Sequence, residues 1–233
     1  MLQIKKLFNS KAKVLRPSNP IPDHDGKCFE VNMWNISGFI IEKIIPIIGF
    51  HPYPLNELSL MVSSVCWLKP THIFDWGTHL GKSARIFYET IKYFNLNTEI
   101  HSIDLPPDQE HAEHPKEKRG IYVRKIKGVN LHLGDGASKS LELYKSGNSV
   151  KTPLFFLDGD HSYESVQREL KMISENAQNA NFLIHDTFFQ TPESGYNIGP
   201  NKAIGEFIAN NSEKYTILET SLGLPGMTFI YKK

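Results

Sequence analysis

Acidic and imidazole side chains recur in this chain where a strand-like run stops. LDGDHSYE places Asp158, Asp160 and His161 directly behind the apolar run PLFFL, and LIHDT places His185 and Asp186 behind a second run. Asp75, Asp104 and Asp135 close three earlier runs. Carboxylates gathered at one sheet edge repel and cost stability unless they hold a cation or bind donors. An imidazole beside them can take a proton near neutral pH or ligate a divalent ion. Asp158, His185 and Asp186, at two adjacent strand ends, are therefore candidate metal ligands. His161, three residues after Asp158 in the same turn, is a candidate base, with Asp160 the next choice.

A second chemistry-bearing stretch is THIFDWGTHLGKS, Thr71 to Ser83. It reads as a short buried strand, the acid Asp75, a turn from Gly77 through Thr78 to Gly81, and a helix start at Ser83. Such a turn aims backbone N–H groups and a helix N-terminus at one spot, which suits an anionic or polar ligand. Its glycines let the backbone approach that ligand closely. The spacing is D-x-G-x-x-x-G-x-S and differs from the dinucleotide fingerprint G-x-G-x-x-G.

These residues need a scaffold of alternating strands and helices. Leu55 to Leu68 has helical spacing and Pro70 stops it. Ala84, Phe87, Tyr88 and Ile91 line one face of the helix after the glycine turn. Strands are expected at Glu99–Ile103, Asn130 to the Gly-Asp pair ending in Asp135, Pro153–Leu157 and Phe182–Ile184. Tyr163, Val166, Leu170 and Ile173 mark a helix behind LDGDHS. Thr191 to Asn201 reads as a glycine- and proline-bearing loop, Ala203 to Ala209 as a short helix. Tyr215–Glu219 and Met227–Tyr231 read as a terminal hairpin turning at Gly223–Gly226. Strand–helix–strand order sets Asp104 beside the glycine turn, where its two acceptor oxygens can hold both hydroxyls of a ribose.

D-W-G-T-H-L-G-K-S resembles the first motif of class I S-adenosylmethionine (SAM)-dependent methyltransferases. D-G-D-H-S-Y-E followed by H-D-T resembles one branch of them, the small-molecule and sugar O-methyltransferases akin to cephalosporin hydroxylase and the macrolide-sugar methyltransferases. The resemblance covers roughly residues 55–230. It implies an α/β fold, a doubly wound and mostly parallel Rossmann-like sheet with an antiparallel C-terminal strand. It implies SAM as cofactor, bound at Asp75, Gly77, Thr78, Gly81, Ser83, Asp104, Asp135, Gly136 and Asp158, with Asp135 an adenine contact and Gly136 its neighbour. It gives Asp158 a metal-binding role and His161 that of base. Where that branch has Glu-Asp-Thr, this chain has His185-Asp186-Thr187, and histidine suits zinc, iron or nickel better than magnesium. The acceptor implied is a small-molecule hydroxyl, such as a sugar or nucleotide-sugar.

The 233 residues, 40% hydrophobic, fit one globular domain. The expected division is an extension over residues 1–54 packed on a domain over 55–233. A net charge of +1 leaves no electrostatic footprint for nucleic acid. Cys28 and Cys66 make no disulfide framework, so a reducing cytosol is the simplest compartment. MLQIKKLFNSKAKV lacks a signal peptide's apolar core. The apolar run Ile36–Phe50 carries Glu42, Lys43 and Pro46, too interrupted to span a bilayer. It would pack on the core or pair with a second copy of the chain, a membrane-surface helix being the minority reading. Residues 106–119 read as a polar loop in which His111 and His114 are solvated, or as a lid.

Two other functions fit the residues. His161, His185 and Asp186 have the composition of a two-histidine, one-carboxylate iron site, hence an oxygenase. A non-catalytic binding module on the cofactor fold is the third reading, which the presence of both Asp158 and His161 opposes.

Overall fold

The structure, a computed structural model, describes residues 32–106, 116–147, 150–220 and 222–233. Cys28, His111 and His114 lie outside them. The chain enters through α1 (Met33–Phe39), a π-helical stretch Ile40–Ile44 and α2 (Ile45–Ile48). Asn32 starts α1 by accepting the N–H groups of Trp34 and Asn35 on its side chain. Then follow α3 (Leu55–Leu68), β1 (His72–Trp76), α4 (Lys82–Tyr93), β2 (Glu99–Asp104), β3 (Asn130–Leu133), α5 (Gly136–Ser146) and β4 (Pro153–Leu157). The chain closes with α6 (Tyr163–Asn176), β5 (Asn181–His185), α7 (Ile198–Asn211), β6 (Tyr215–Glu219) and β7 (Met227–Lys232).

The strands form one sheet in the order β3-β2-β1-β4-β5-β7-β6. β1 to β5 pair in parallel, and β7 runs antiparallel to both β5 and β6. This is the doubly wound sheet with an antiparallel C-terminal strand that the sequence predicts. Every residue of β1, β4 and β5 is buried, because helices cover both faces. Alternation divides their side chains between two cores. Ile73, Leu154, Phe156 and Leu183 pack with α1 to α4; Phe74, Phe155, Phe182 and Ile184 pack with α5 to α7.

That division creates the site. β1 and β4 are parallel neighbours, yet β1 feeds α4 on one face and β4 feeds α6 on the other. A crevice opens between two chains leaving in opposite directions, at the carboxyl ends of the strands. Gly77 and Asp158 are the first residues beyond those two ends. A Cβ on Gly77 would lie 2.3 Å from the Asp158 carbonyl oxygen, and Gly77 has φ +80°. No other residue type fits there without moving the backbone.

One expectation is corrected. The helix read from Ala203 to Ala209 begins at Ile198, and Pro192–Asn197 forms a 3-10 turn, so Thr191–Asn201 is mostly helical rather than a loop. Pro200 permits this because it sits in the first turn, where the helix has no carbonyl for its missing N–H. Ile36–Ile48 packs on the core, the first of the two packings expected for this run: Ile36, Phe39, Ile40, Ile44 and Ile48 join the same cluster as Leu58 and Phe87. Among the described residues no helix is long and apolar enough to cross a membrane.

Candidate active site

The site has two halves that meet at the Gly77–Asp158 contact. The first is the β1–α4 turn. Gly77 and Gly81 both take left-handed backbone, and a Cβ on Gly81 would meet Val123 at 2.6 Å. Beneath the turn Thr78 Oγ1 and Ser102 Oγ lie 2.7 Å apart, and Ser102 Oγ donates to Asp75 Oδ2 at 2.6 Å. Asp75 is fully buried and its Oδ1 has no hydrogen-bond partner. Burial pushes its carboxyl up to about 7, with Asp158 and Asp104 also raising it against the Ser102 and Ser83 hydroxyls. Asp75 therefore braces the turn from within.

The sign of that shift gives a prediction. The unfolded carboxyl titrates near 3.8 and the folded one near 7. Between those values the folded chain holds a proton that the unfolded chain lacks, so stability falls as pH rises across this window and the loss is complete above it. Asp75→Asn removes the titration. Its melting temperature relative to wild type should rise by several degrees between pH 5 and pH 8, measured by thermal denaturation.

Asp104 ends β2 beside the turn. Its Oδ2 accepts from the His79 backbone N–H at 3.2 Å and pairs with Arg119 Nε at 2.8 Å; its Oδ1 accepts from Leu105 N at 2.9 Å. Asp135 is the N-cap of α5, accepting from Ser138 N at 2.9 Å, and pairs with Arg168 at 3.0 Å. Partial burial would raise the Asp135 carboxyl, but the Arg168 and Ser138 hydrogen bonds hold it below the usual range. Gly136 opens α5 against the Trp76 ring, which a Cβ would meet at 2.7 Å.

The second half gathers β4, β5 and the start of α3. His185 closes β5, buried to 3% exposure. Its Nδ1 lies 2.9 Å from Asp158 Oδ1 and its Nε2 3.1 Å from Glu57 Oε2. Both nitrogens face carboxylates, and a neutral imidazole can donate from only one. Burial lowers the pKa of His185, but Asp158, with Asp186 and Glu57, overcomes this and raises it well above the ordinary histidine value. His185 is thus an imidazolium held between acids. Burial likewise opposes the charge on Asp158, yet His185, the Tyr53 hydroxyl donating to Oδ2 at 2.5 Å, and His161 hold it below the usual carboxylate range. Glu57 Oε1 also accepts the Gly226 N–H at 2.7 Å, tying α3 to the β6–β7 connection.

His161 stands between two of these acids. Its Nε2 is 3.9 Å from Asp158 Oδ1 and its Nδ1 3.6 Å from Asp186 Oδ2, with the Tyr196 ring alongside at 5.0 Å between centroids. Asp186 reaches this position with φ +57°, a left-handed backbone uncommon outside glycine and costing about 1–3 kcal/mol. Asp158, His161 and Asp186 can each offer a ligand atom, all within 4.8 Å of one another. A divalent ion fits these donors.

Of the residues named from sequence, Asp158, His161, His185 and Asp186 do come together. Both His185 nitrogens lie at hydrogen-bond distance from carboxylates, while His161 offers a donor atom near those of Asp158 and Asp186. Asp160 does not join them. It accepts from Ser162 N at 2.9 Å and Ser165 Oγ at 2.6 Å, bracing the start of α6. Sequence reading missed Tyr53, Glu57, Ser102 and Arg119. Glu57 carried a signal: an acid four residues before Met61, on the apolar stripe of α3.

Residues 74–187 match the family model described as a methyltransferase domain. The fold is shared with an S-adenosylhomocysteine-bound methyltransferase of Podospora anserina, at 18% identity and TM-score 0.54 over 91% of this chain and 89% of that one. It is shared with the O-methyltransferase TomG of Streptomyces achromogenes, involved in tomaymycin synthesis and solved with SAM, at 13% identity and TM-score 0.53 over 86% and 89%. An O-methyltransferase of Bacillus cereus in complex with S-adenosylhomocysteine aligns at 14% identity and TM-score 0.51 over 85% and 91%. No curated protein matches the chain. The architecture is the Rossmann-like fold of methyltransferases.

Proposed function

We propose that this chain transfers a methyl group from SAM to a hydroxyl of a small molecule, a sugar or nucleotide-sugar being the acceptor class suggested by the late motifs. The observation that carries the reading is the glycine turn of β1 pressed against the Asp158–His161–Asp186 cluster at the switch point of the sheet. Gly77, Thr78 and Gly81 would lie against the cofactor, with Asp75 and Ser83 supporting the turn from below. Asp104 would hold the ribose hydroxyls, and Asp135 and Gly136 would border the adenine.

In the reaction the acceptor oxygen attacks the sulfonium methyl, the C–S pair returns to sulfur, and S-adenosylhomocysteine leaves. Sulfur, carbon and oxygen must be held in line. An aliphatic hydroxyl is a weak nucleophile, so its proton must be taken. His161 receives it, and Asp158 and Asp186 on either side stabilise the imidazolium that forms. A second reading rests on the donor set: Asp158, His161 and Asp186 would hold a divalent cation, whose contribution is to lower the pKa of a coordinated hydroxyl.

Incubating the protein with SAM and a panel of hydroxyl acceptors tests the function. S-adenosylhomocysteine should accumulate with a methylated acceptor. Oxygen consumption without it would favour an oxygenase; no SAM binding at all would leave a scaffold. Exhaustive chelation separates the two mechanisms, since turnover survives it only if His161 works without an ion.

Asp104→Ala tests the cofactor pose. It removes hydrogen bonds to a charged group, about 1.5–3 kcal/mol, so SAM affinity should fall roughly 10- to 100-fold by calorimetry. Unchanged affinity would remove Asp104 from the site.

A further inference from the structure

At the opposite ends of the strands lies a second group of ligand-type side chains. His72 opens β1 and Glu99 opens β2, directly paired across the ladder. His72 is four residues before the end of β1, about 13 Å from the cofactor edge at the usual strand rise. His101 is two residues after Glu99 and so returns to the same face. His72 Nε2 lies 3.8 Å and His101 Nε2 3.6 Å from the single oxygen Glu99 Oε2. Each separation is too long for a hydrogen bond. Three donor atoms, one from each residue, lie within 4.8 Å of one another.

The surroundings suit a metal better than a proton. On the far side His101 Nδ1 is 3.1 Å from His132 Nε2 of β3, a hydrogen-bond distance. When Nδ1 carries the shared proton, the Nε2 lone pair of His101 points at the Glu99 carboxylate, and two acceptors face each other. A cation between them resolves this. A ligating histidine commonly gives its other N–H to such a partner, which fixes the ring and its tautomer. His72 is 6% exposed, and its Nδ1 is buried without a hydrogen-bond partner. Burial lowers the pKa of all three imidazoles, that of His101 to about 4 with help from His132 and His72. The Glu99 side chain is 64% exposed, which leaves both an entry path and room to close.

We propose that His72, Glu99 and His101 form a binding site for a divalent transition metal of the zinc class, with His132 orienting His101. Two imidazoles and a carboxylate are zinc-type ligands at about 2.0–2.2 Å, which places donors about 3.3 Å apart, close to the spacing present. The fourth position opens toward solvent. Bound there, the ion ties β1 to β2 at the edge remote from methyl transfer, and the site is independent of the proposed reaction.

The test uses the full chain carrying Asp158→Asn and Asp186→Asn, which removes the donor set at the other edge. After chelation and desalting, Co²⁺ alone is titrated by calorimetry and visible absorption. One Co²⁺ should bind, with the visible bands of a four-coordinate site. Adding Glu99→Gln, at an exposed position that leaves the core intact, should weaken binding by at least 100-fold. Adding His132→Phe should weaken it roughly 10- to 100-fold, the usual effect of losing a residue that orients a ligand. No Co²⁺ bound in the parent variant overturns the proposal, as does undiminished affinity after Glu99→Gln with the metal-free melting temperature unchanged.

Discussion

His161→Ala should lower the methyl-transfer rate by roughly 10²–10⁴-fold, the range for losing a general base. His161 is the only imidazole among the described residues set between Asp158 and Asp186 without a hydrogen bond to either, at 3.9 and 3.6 Å. It can therefore gain or lose a proton without breaking a bond that holds the fold. His185, beside it, has both nitrogens committed. The loss should fall on kcat, because a proton acceptor works only as the acceptor oxygen becomes a nucleophile. If SAM binds at the β1–α4 turn as proposed, its affinity should stay within about twofold. The wild-type pH–rate profile should show an acidic limb that the variant lacks. Turnover at the wild-type rate with that limb intact would move the base elsewhere. Asp160 would be a poor replacement, because Ser162 and Ser165 occupy its carboxylate.

The contrast between His161 and His185 shows where sequence stops being informative. The strand ends were legible because apolar runs and turn residues fix local geometry. Asp75, Asp104, Asp135, Asp158 and Asp186 all fall at one sheet edge, as strand–helix alternation requires. Their partners were not legible. Glu57 meets His185 across 128 residues of chain and Tyr53 meets Asp158 across 105. No periodicity encodes such a contact; it follows from how α3 is laid over the sheet. An H-D pair in sequence cannot say which neighbours its imidazole meets; burial among Glu57, Asp158 and Asp186 sets that for His185. Thr191–Asn201 misled for a related reason: its glycines and prolines have loop composition, but Gly199 is needed because a Cβ there would meet the His161 carbonyl oxygen at 2.5 Å. The helix reads as a loop because its start is shaped to fit the site.

His185→Leu should cost about 3–5 kcal/mol of stability, the usual loss when one partner of a buried ion pair is removed. For a domain of this size that is a fall in melting temperature of roughly 6–20 °C. Leucine fits the volume but leaves Glu57 and Asp158 facing each other with no cation between them, and the Glu57 bond that anchors Gly226 is strained by the repulsion. The pH dependence follows from the two shifts. His185 has a folded pKa raised above about 6.5, so its contribution is complete below that value and is lost as pH rises through the folded pKa. Asp158 has a folded pKa below about 3.8, so its contribution is complete above that value and is lost as pH falls through the folded one. Wild type should be most stable between those limits, and the deficit of His185→Leu should be largest there, shrinking in acid as the exposed repulsion is protonated away. His185→Glu separates charge from shape. It adds a fourth acid where the imidazolium stood, so it should melt well below wild type in chelator and recover when millimolar Mg²⁺ is added, because an ion can then supply the positive charge the histidine carried. A His185→Leu protein melting within about 2 °C of wild type across this pH range would show that the imidazole is neutral, and that the acids around it are balanced by some other group.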